Sequence, residues 1–309
     1  MAFAFLFPGQ GSQSLNMMDG FAEVPVVRET FEEASAVLGQ DLWAMLKAET
    51  PEAINATVNT QPLMLAAGVA VWRAWLAAGG APACVMAGHS LGEYSALVAS
   101  GALKFADAVR LVRVRAEAMQ AAVPSGEGAM AAIIGLSDDG VRAACAAAAQ
   151  GDVVEAVNFN SPGQVVIAGS RAAVERAMEG CKAAGAKRAL PLPVSVPSHC
   201  ALMKPAAERL RLALESVEIL TPSIEVLHNA DVAAYSDADL IRDALVRQLF
   251  SPVRWTETVT RMAADGVVLM AESGPGKVLT GLAKRIDSNV KCFALTDVAA
   301  MDAARAGLV

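Results

Sequence analysis

The chain has 309 residues, 54% of them hydrophobic, and 25 lysines and arginines against 32 aspartates and glutamates give a net charge of −7. That length and apolar content supply a sizeable core for one large domain or two unequal ones, while the acidic balance argues against a general nucleic-acid-binding surface. No apolar run reaches the ~18 residues of a membrane span, and the five scattered cysteines (Cys84, Cys145, Cys181, Cys200, Cys292) form no C-x-x-C pair, so neither a disulfide framework nor a metal site is expected.

No basic region precedes the apolar run Met1–Phe7, and Pro8 and Gly9 close it at once. A first strand is therefore expected rather than a signal peptide, and the chain reads as cytoplasmic. The loop Pro8-Gly9-Gln10-Gly11-Ser12-Gln13 resembles half a dinucleotide fingerprint, but Ser14 stands where the third glycine is needed and no βαβ unit with its acidic residue follows, which rejects a Rossmann site. The loop can still approach a ligand through its backbone amides. Helices are predicted over 26–39 and 62–78, the second opening with Pro62 in its first turn and Thr60-Gln61 as its cap. Gln61 could also border a site.

A short apolar strand at 84–87 then runs into Gly88-His89-Ser90-Leu91-Gly92 and a helix from Leu91 to Ser100, ended by Gly101. Strand, Gly-x-Ser-x-Gly turn and helix together make the nucleophile-elbow pattern, which exposes a serine at a sharp bend. The amide after that serine lies at a helix N-terminus, where unpaired N–H groups meet a developing oxyanion. The next helix, Asp107–Ala122, carries an anomaly. Arg110, Arg113, Glu117 and Gln120 share a polar face, yet Arg115 falls in the middle of the opposite apolar arc. A guanidinium there must be paired or must reach water along its stem; the functional alternative is an anion-binding arginine in a pocket.

Pro124-Ser125-Gly126-Glu127-Gly128 reads as a boundary. Beyond it come a strand at 129–134, a helix at 138–149, strands at 153–158 and 164–168 joined by the turn Asn160-Ser161-Pro162-Gly163, a helix at 171–184 capped by Ser170, and a strand at 187–192. This βαββαβ order is that of a ferredoxin-like unit, assigned here to an insertion over 126–196. Segment Val194-Ser195-Val196-Pro197-Ser198-His199-Cys200 returns to the main body, with helices predicted at 205–216, 237–250 and 255–265 and strands at 224–227, 267–271 and 291–295. Short apolar strands alternating with helices imply a mostly parallel sheet covered on both faces. Ser273-Gly274-Pro275-Gly276-Lys277 lacks the spacing and the final Ser/Thr of a phosphate-binding loop.

Ser90 needs a base, and only three histidines exist. His89 adjoins the serine but should point elsewhere, into packing or supporting bonds. His199, in a Pro-Ser-His loop well after the serine, and His228, at a strand end, are both candidates. No aspartate stands out as a third member. Cys200 has nothing beside it to lower a thiol pKa.

Six segments occur in order along nearly the whole chain: Phe7–Gln13, Thr60-Gln61-Pro62, Ala87–Leu97, Asn158-Phe159-Asn160-Ser161-Pro162-Gly163-Gln164, Pro197-Ser198-His199 and Gly274-Pro275-Gly276. Together they resemble the malonyl-CoA:acyl carrier protein transacylase family of fatty acid synthesis. The resemblance implies an α/β-hydrolase-like large subdomain at 1–125 and 197–309 with a ferredoxin-like small subdomain at 126–196. It implies Ser90 as the malonylated nucleophile, His199 as base, the backbone amides of Gln10 and Leu91 as oxyanion hole, and Arg115 as the ligand of the malonyl carboxylate. The histidine would be oriented by the backbone carbonyl of Gln248, with Asn160 and Gln61 as supporting residues. No tightly bound cofactor or metal, no nucleic acid and no membrane is expected, and the protein reads as a monomer whose partners are malonyl-CoA and acyl carrier protein. An acidic carrier would need a local basic patch, for which Lys284–Arg285 and Lys187–Arg188 are candidates. A serine esterase or thioesterase, and a trans-acting polyketide acyltransferase, are the rival readings.

Overall fold

Alternation along the first strand sets the centre of the fold. In strand β1 (Ala2–Phe7), Phe3, Phe5 and Phe7 point to one face and Ala4 and Leu6 to the other, and both sets are buried. A strand buried on both faces belongs in the middle of a parallel sheet. The computed structural model, which describes residues 2–194 and 196–307, has it there. With β2 (Val85–Gly88), β7 (Glu225–Leu227), β8 (Val267–Ser273) and β9 (Lys291–Leu295) it forms a five-stranded sheet of order β7-β2-β1-β8-β9 whose pairings are all parallel. The expected strand residue Met1, and Ser195 in the segment after the small sheet, lie outside the described residues.

Helices cover both faces. On the phenylalanine side pack Pro25–Leu38, Thr57–Ala77, Gly92–Ala99, Phe105–Ala122, Lys204–Glu215 and Ala238–Gln248. The Phe5 ring meets Trp72 and Trp75 edge-on at 4.7 and 5.4 Å. On the other side Trp255–Ala264 and Val278–Ile286 close over Leu6, Ala87 and Met270. Thr57–Ala77 begins before the predicted start, so Pro62 lies inside it rather than in its first turn, and Gln61 is a buried helical residue rather than a cap. Side chains secure the extra residues: Thr60 Oγ1 donates to Ile54 O at 2.6 Å and Asn59 Nδ2 to Ala53 O at 2.9 Å. Proline, which lacks an N–H, contributes nothing there.

The second sheet is antiparallel, with β3 (Gly128–Ile134), β4 (Val154–Ser161), β5 (Gln164–Ser170) and β6 (Arg188–Pro191) in the order β4-β5-β3-β6. Strand β4 runs on to Ser161, beyond its predicted end, so Pro162-Gly163 alone makes the turn, with Gly163 at φ 71°. Helices Asp138–Ala149 and Arg171–Ala183 cover one face through Val141, Cys145, Val174 and Cys181. Ser170 precedes the second helix but its side chain makes no capping bond, because the residue still belongs to β5 and its N–H is paired with Val153 O at 2.8 Å. The other face presents Met130, Val157, Val166 and Ala168 to Cys200 and Leu202. Val253 pairs with β4, accepting from Phe159 N–H at 3.0 Å and donating to Val157 O at 2.8 Å, while its side chain packs with Leu6, Ala87 and Met270 of the parallel sheet.

Between β2 and the helix Gly92–Ala99 the backbone leaves no room for side chains. A Cβ on Gly88 would overlap Gly92, and one on Gly92 would overlap the carbonyl of Phe7. Both obstacles are backbone and cannot move aside. Gly92→Ala is therefore expected to destabilise the protein by about 3 kcal/mol or more, read as a lowered midpoint in urea unfolding. A midpoint equal to the unsubstituted protein would contradict this packing.

Candidate active site

The turn after β2 places Ser90 in the left-handed region at φ 51°, a conformation that costs a non-glycine residue roughly 1–3 kcal/mol and persists only where the surroundings enforce it. Ser90 Oγ lies 2.7 Å from His199 Nε2. His199 comes from the loop after the small sheet, is itself left-handed at φ 67°, and is pinned by its N–H donating to Leu249 O at 3.0 Å. Its Nδ1 lies 2.8 Å from the backbone carbonyl of Gln248. A carbonyl can only accept, so Nδ1 carries the proton, and in the neutral ring Nε2 presents a lone pair to the serine hydroxyl. Burial, and next the charge of Arg115, push the His199 pKa down to about 3. The ring is therefore neutral at pH 7, the state a base requires.

Arg115, on the helix Phe105–Ala122, is 1% exposed. Its Nη1 donates to Gln61 Oε1 at 2.8 Å, and its Nη2 to Gln248 Oε1 at 3.0 Å and to Ser90 Oγ at 3.2 Å. Burial lowers its pKa, opposed by the neighbouring Tyr94 and Glu93. Its position on the apolar arc is thus neither a surface ion pair nor a stem reaching water. It is a charge inside a polar cradle, touching the serine.

Gln10 arrives from the loop after β1. Gly9 makes that approach possible, because a Cβ there would overlap His89 O and touch Leu91 N at 3.6 Å. Among the described residues, neither Gln10 N–H nor Leu91 N–H has an acceptor, and both residues line one cavity of about 110 Å³ with Ser90, His199 and Arg115. The rest of its wall is largely apolar, from Met119, Met130, Leu192, Val194 and Val196. A serine hydroxyl, a neutral imidazole, two free amides and a guanidinium in one small, largely apolar cavity have the chemistry to support acyl transfer and to receive an anionic acyl group.

The remaining sequence candidates divide cleanly. Asn160 does not touch Ser90; its Oδ1 lies 2.8 Å from His89 Nε2, which places His89 in a supporting pair. His228 is turned away from the serine, its Nδ1 2.7 Å from Glu93 Oε1. Cys200 is buried, and that burial raises its thiol pKa to about 12, so it is inert. Lys187, Arg188, Lys284 and Arg285 are all exposed, and Arg285 Nη1 donates to Gln164 Oε1 at 2.6 Å across the junction between the sheets.

Sequence reasoning missed Glu93 and Asn229. Glu93, fully buried, accepts from His228 Nδ1, from Asn229 N–H at 2.9 Å and from Gln248 Nε2 at 2.9 Å. Glu93 carries the same kind of signal as Arg115, an ionisable side chain on a helix whose first turns are wholly buried. Asn229 has no such local signal.

The chain is similar to known proteins over nearly its whole length. Residues 4–295 match the family described as acyl transferase domain. The malonyl CoA-acyl carrier protein transacylase of Escherichia coli K12 is 59% identical over 303 residues, covering 98% of each chain. Among solved structures, an acyl carrier protein S-malonyltransferase from Vibrio cholerae superposes with a TM-score of 0.96 at 58% identity, covering 98% of this chain and 99% of the other. A malonyl-transacylase in complex with a type II PKS acyl-carrier protein superposes at 0.98, with 55% identity over 99% of this chain and 100% of that one. The chain belongs to the acyl transferase domain family.

Proposed function

We propose that the protein transfers the malonyl group from malonyl-CoA to the phosphopantetheine thiol of acyl carrier protein through a malonyl-Ser90 ester, supplying fatty acid synthesis in the cytoplasm. The observation that carries this reading is the Arg115 guanidinium, sealed from water and 3.2 Å from Ser90 Oγ. In a malonyl thioester one methylene separates the reacting carbonyl from the free carboxylate. A carboxylate taking over the N–H now given to Ser90 Oγ brings that carbonyl to the nucleophile, and the guanidinium fork provides the directional match that lysine lacks.

In the first half-reaction Ser90 Oγ attacks the thioester carbonyl while its proton passes to His199 Nε2. The N–H groups of Gln10 and Leu91 hold the oxyanion, the C–S bond breaks, and the CoA sulfur takes the proton from His199. In the second, the carrier thiol gives its proton to His199 and attacks the ester. The C–O bond breaks and Ser90 Oγ recovers the proton. The protein's own residues supply every group these steps use. Supporting the architectural side of the reading, the two sheets have separate cores. We assign 1–125 and 197–309 to an α/β-hydrolase-like catalytic subdomain and 126–196 to a ferredoxin-like one.

Mass spectrometry after mixing with malonyl-CoA, without carrier, should find one malonyl group on Ser90 and none on Ser90→Ala. Addition of carrier should discharge it onto the carrier thiol, whereas discharge at the same rate into water alone would make the protein a thioesterase. Arg115→Ala should lower kcat/KM for malonyl-CoA about 100-fold, the scale for losing one partner of a buried charge pair, and narrow its advantage over acetyl-CoA; an unchanged preference would remove Arg115 from the acyl pocket.

The pH dependence follows from the direction of the His199 shift. Its pKa lies below the ordinary value, so the active neutral form survives acidification and is lost only as pH falls toward about 3. An unperturbed imidazole of pKa about 6.5 would be only about 3% neutral at pH 5. Ser90 loading should therefore run at pH 5 within about twofold of its pH 7 rate; a sigmoid fall centred near pH 6.5 would show that His199 is solvated.

For the carrier, the exposed pairs Lys284–Arg285 and Lys187–Arg188 are the docking candidates in an otherwise acidic protein. Reversing either pair to glutamate should raise KM for carrier and leave malonyl loading unchanged. A KM for carrier that stays constant in both variants would remove them as docking residues.

A further inference from the structure

The hydrogen bonds beneath the site converge on a side chain that the reaction steps do not use. Asn229 follows β7 and is 1% exposed. Its carboxamide is spent on the elbow: Oδ1 accepts from Ser90 N–H at 2.6 Å, and Nδ2 donates to the Gly88 carbonyl at 2.6 Å. The partners fix the orientation of the amide, since a backbone N–H can only donate and a carbonyl only accept. One planar group thus spans the sharp bend from the last residue of β2 to the nucleophile.

We propose that Asn229 is a positioning residue for the acyl-transfer reaction. It locks Ser90 in its left-handed conformation, so that Oγ faces His199 and the free amide at the turn is that of Leu91. With the Ser90 N–H tied to Asn229, the elbow cannot relax toward an ordinary turn without abandoning two short buried bonds. The inference rests on Ser90 being the acyl acceptor.

Two further features show that Asn229 is itself held in place. From inside, Glu93 Oε2 accepts from Asn229 N–H at 2.9 Å and from Gln248 Nε2 at 2.9 Å, while Gln248 Nε2 also donates to Ser90 O at 3.0 Å. From outside, the turn that carries Asn229 is strained. Val232, a β-branched residue, stands at φ 55°, and the turn is closed by Val232 N–H on His228 O at 2.9 Å and His228 N–H on Ala233 O at 3.0 Å. Arg247 grips Asp231 with both Nη atoms at 2.7 Å, and Arg254 Nη1 reaches Ala230 O at 3.3 Å. Strain of this kind persists where surrounding contacts over-determine it, and here those contacts hold the turn that carries Asn229.

The test is the loading half-reaction of Asn229→Ala and Asn229→Asp, followed by rapid quench with malonyl-CoA. The aspartate keeps the shape and the Oδ1 acceptor but sets a second oxygen against Gly88 O. At saturating malonyl-CoA the rate of Ser90 malonylation should fall about 100-fold in both, the scale of an ångström-sized misplacement. KM for malonyl-CoA should stay within about twofold, because Arg115 keeps its own cradle. A raised KM with an unchanged rate, or no change in either, overturns the proposal. Should neither variant fold, hydrogen exchange on the unsubstituted protein decides: a slowly exchanging Ser90 amide is expected, and a rapidly exchanging one refutes the clamp. Absence of malonyl-Ser90 in the unsubstituted protein would overturn the function reading instead, and leaves the exchange measurement meaningful.

Discussion

A guanidinium enclosed in protein beside a serine is the constraint around which the site is built. An isolated buried charge is far too costly to persist, so Arg115 must be met by polar groups from several directions. Gln61 comes from the helix Thr57–Ala77, Gln248 from the end of Ala238–Gln248, and Glu93, which helps compensate the charge, from the helix that follows the elbow. The Tyr94 ring lies beneath it at 5.7 Å. Satisfying one charge thereby fixes the mutual placement of four helices around Ser90. Gln248 is the joint: its side chain links Arg115 to Glu93 while its backbone carbonyl holds the imidazole.

The proposed base, His199, differs from the serine–histidine–aspartate arrangement in a way that matters energetically. A neutral carbonyl fixes the tautomer of His199 but stabilises an imidazolium less than a carboxylate would. Burial and the nearby Arg115 charge act in the same direction. In the proposed reaction a weak base suits a thioester, whose leaving thiol has a pKa of about 8.5 and needs less assistance than an amine. A carboxylate bound on Arg115 would offset part of the positive field on His199, so an acyl group with a second carboxylate favours both its own placement and the protonated base that forms during attack.

The two sheets meet at the cavity that holds Ser90. The parallel sheet delivers Ser90 at the C-terminal end of a central strand, the usual position for a site in such sheets. The antiparallel sheet turns its helix-free face inward, and Met130 and Asn158 from it complete the cavity wall. Val253 connects the two, its backbone bonded to the antiparallel sheet and its side chain packed with Leu6, Ala87 and Met270 of the parallel one.

Much of this was legible in the chain itself. Alternation in Ala2–Phe7, the glycines around Ser90 and the βαββαβ order depend on neighbours in sequence, so strand periodicity, the turn at the nucleophile and the order of elements in the small sheet could be read directly. Arg115 was visible because helical spacing exposes a charge on the wrong face. The helix containing Pro62 was misjudged because side chains from the preceding turn, rather than the proline, set its start. Choosing His199 over His228 from the residues alone, and finding Glu93 and Asn229, lay beyond local pattern. These groups are separated from Ser90 by long stretches of chain, and only the packed sheets and helices decide that one imidazole meets the serine while the other meets Glu93. The sequence by itself determined which elements form and which serine is exposed at the bend. The tertiary structure decided which distant polar groups are driven together, because a buried charge or amide must find its partners wherever the fold brings them.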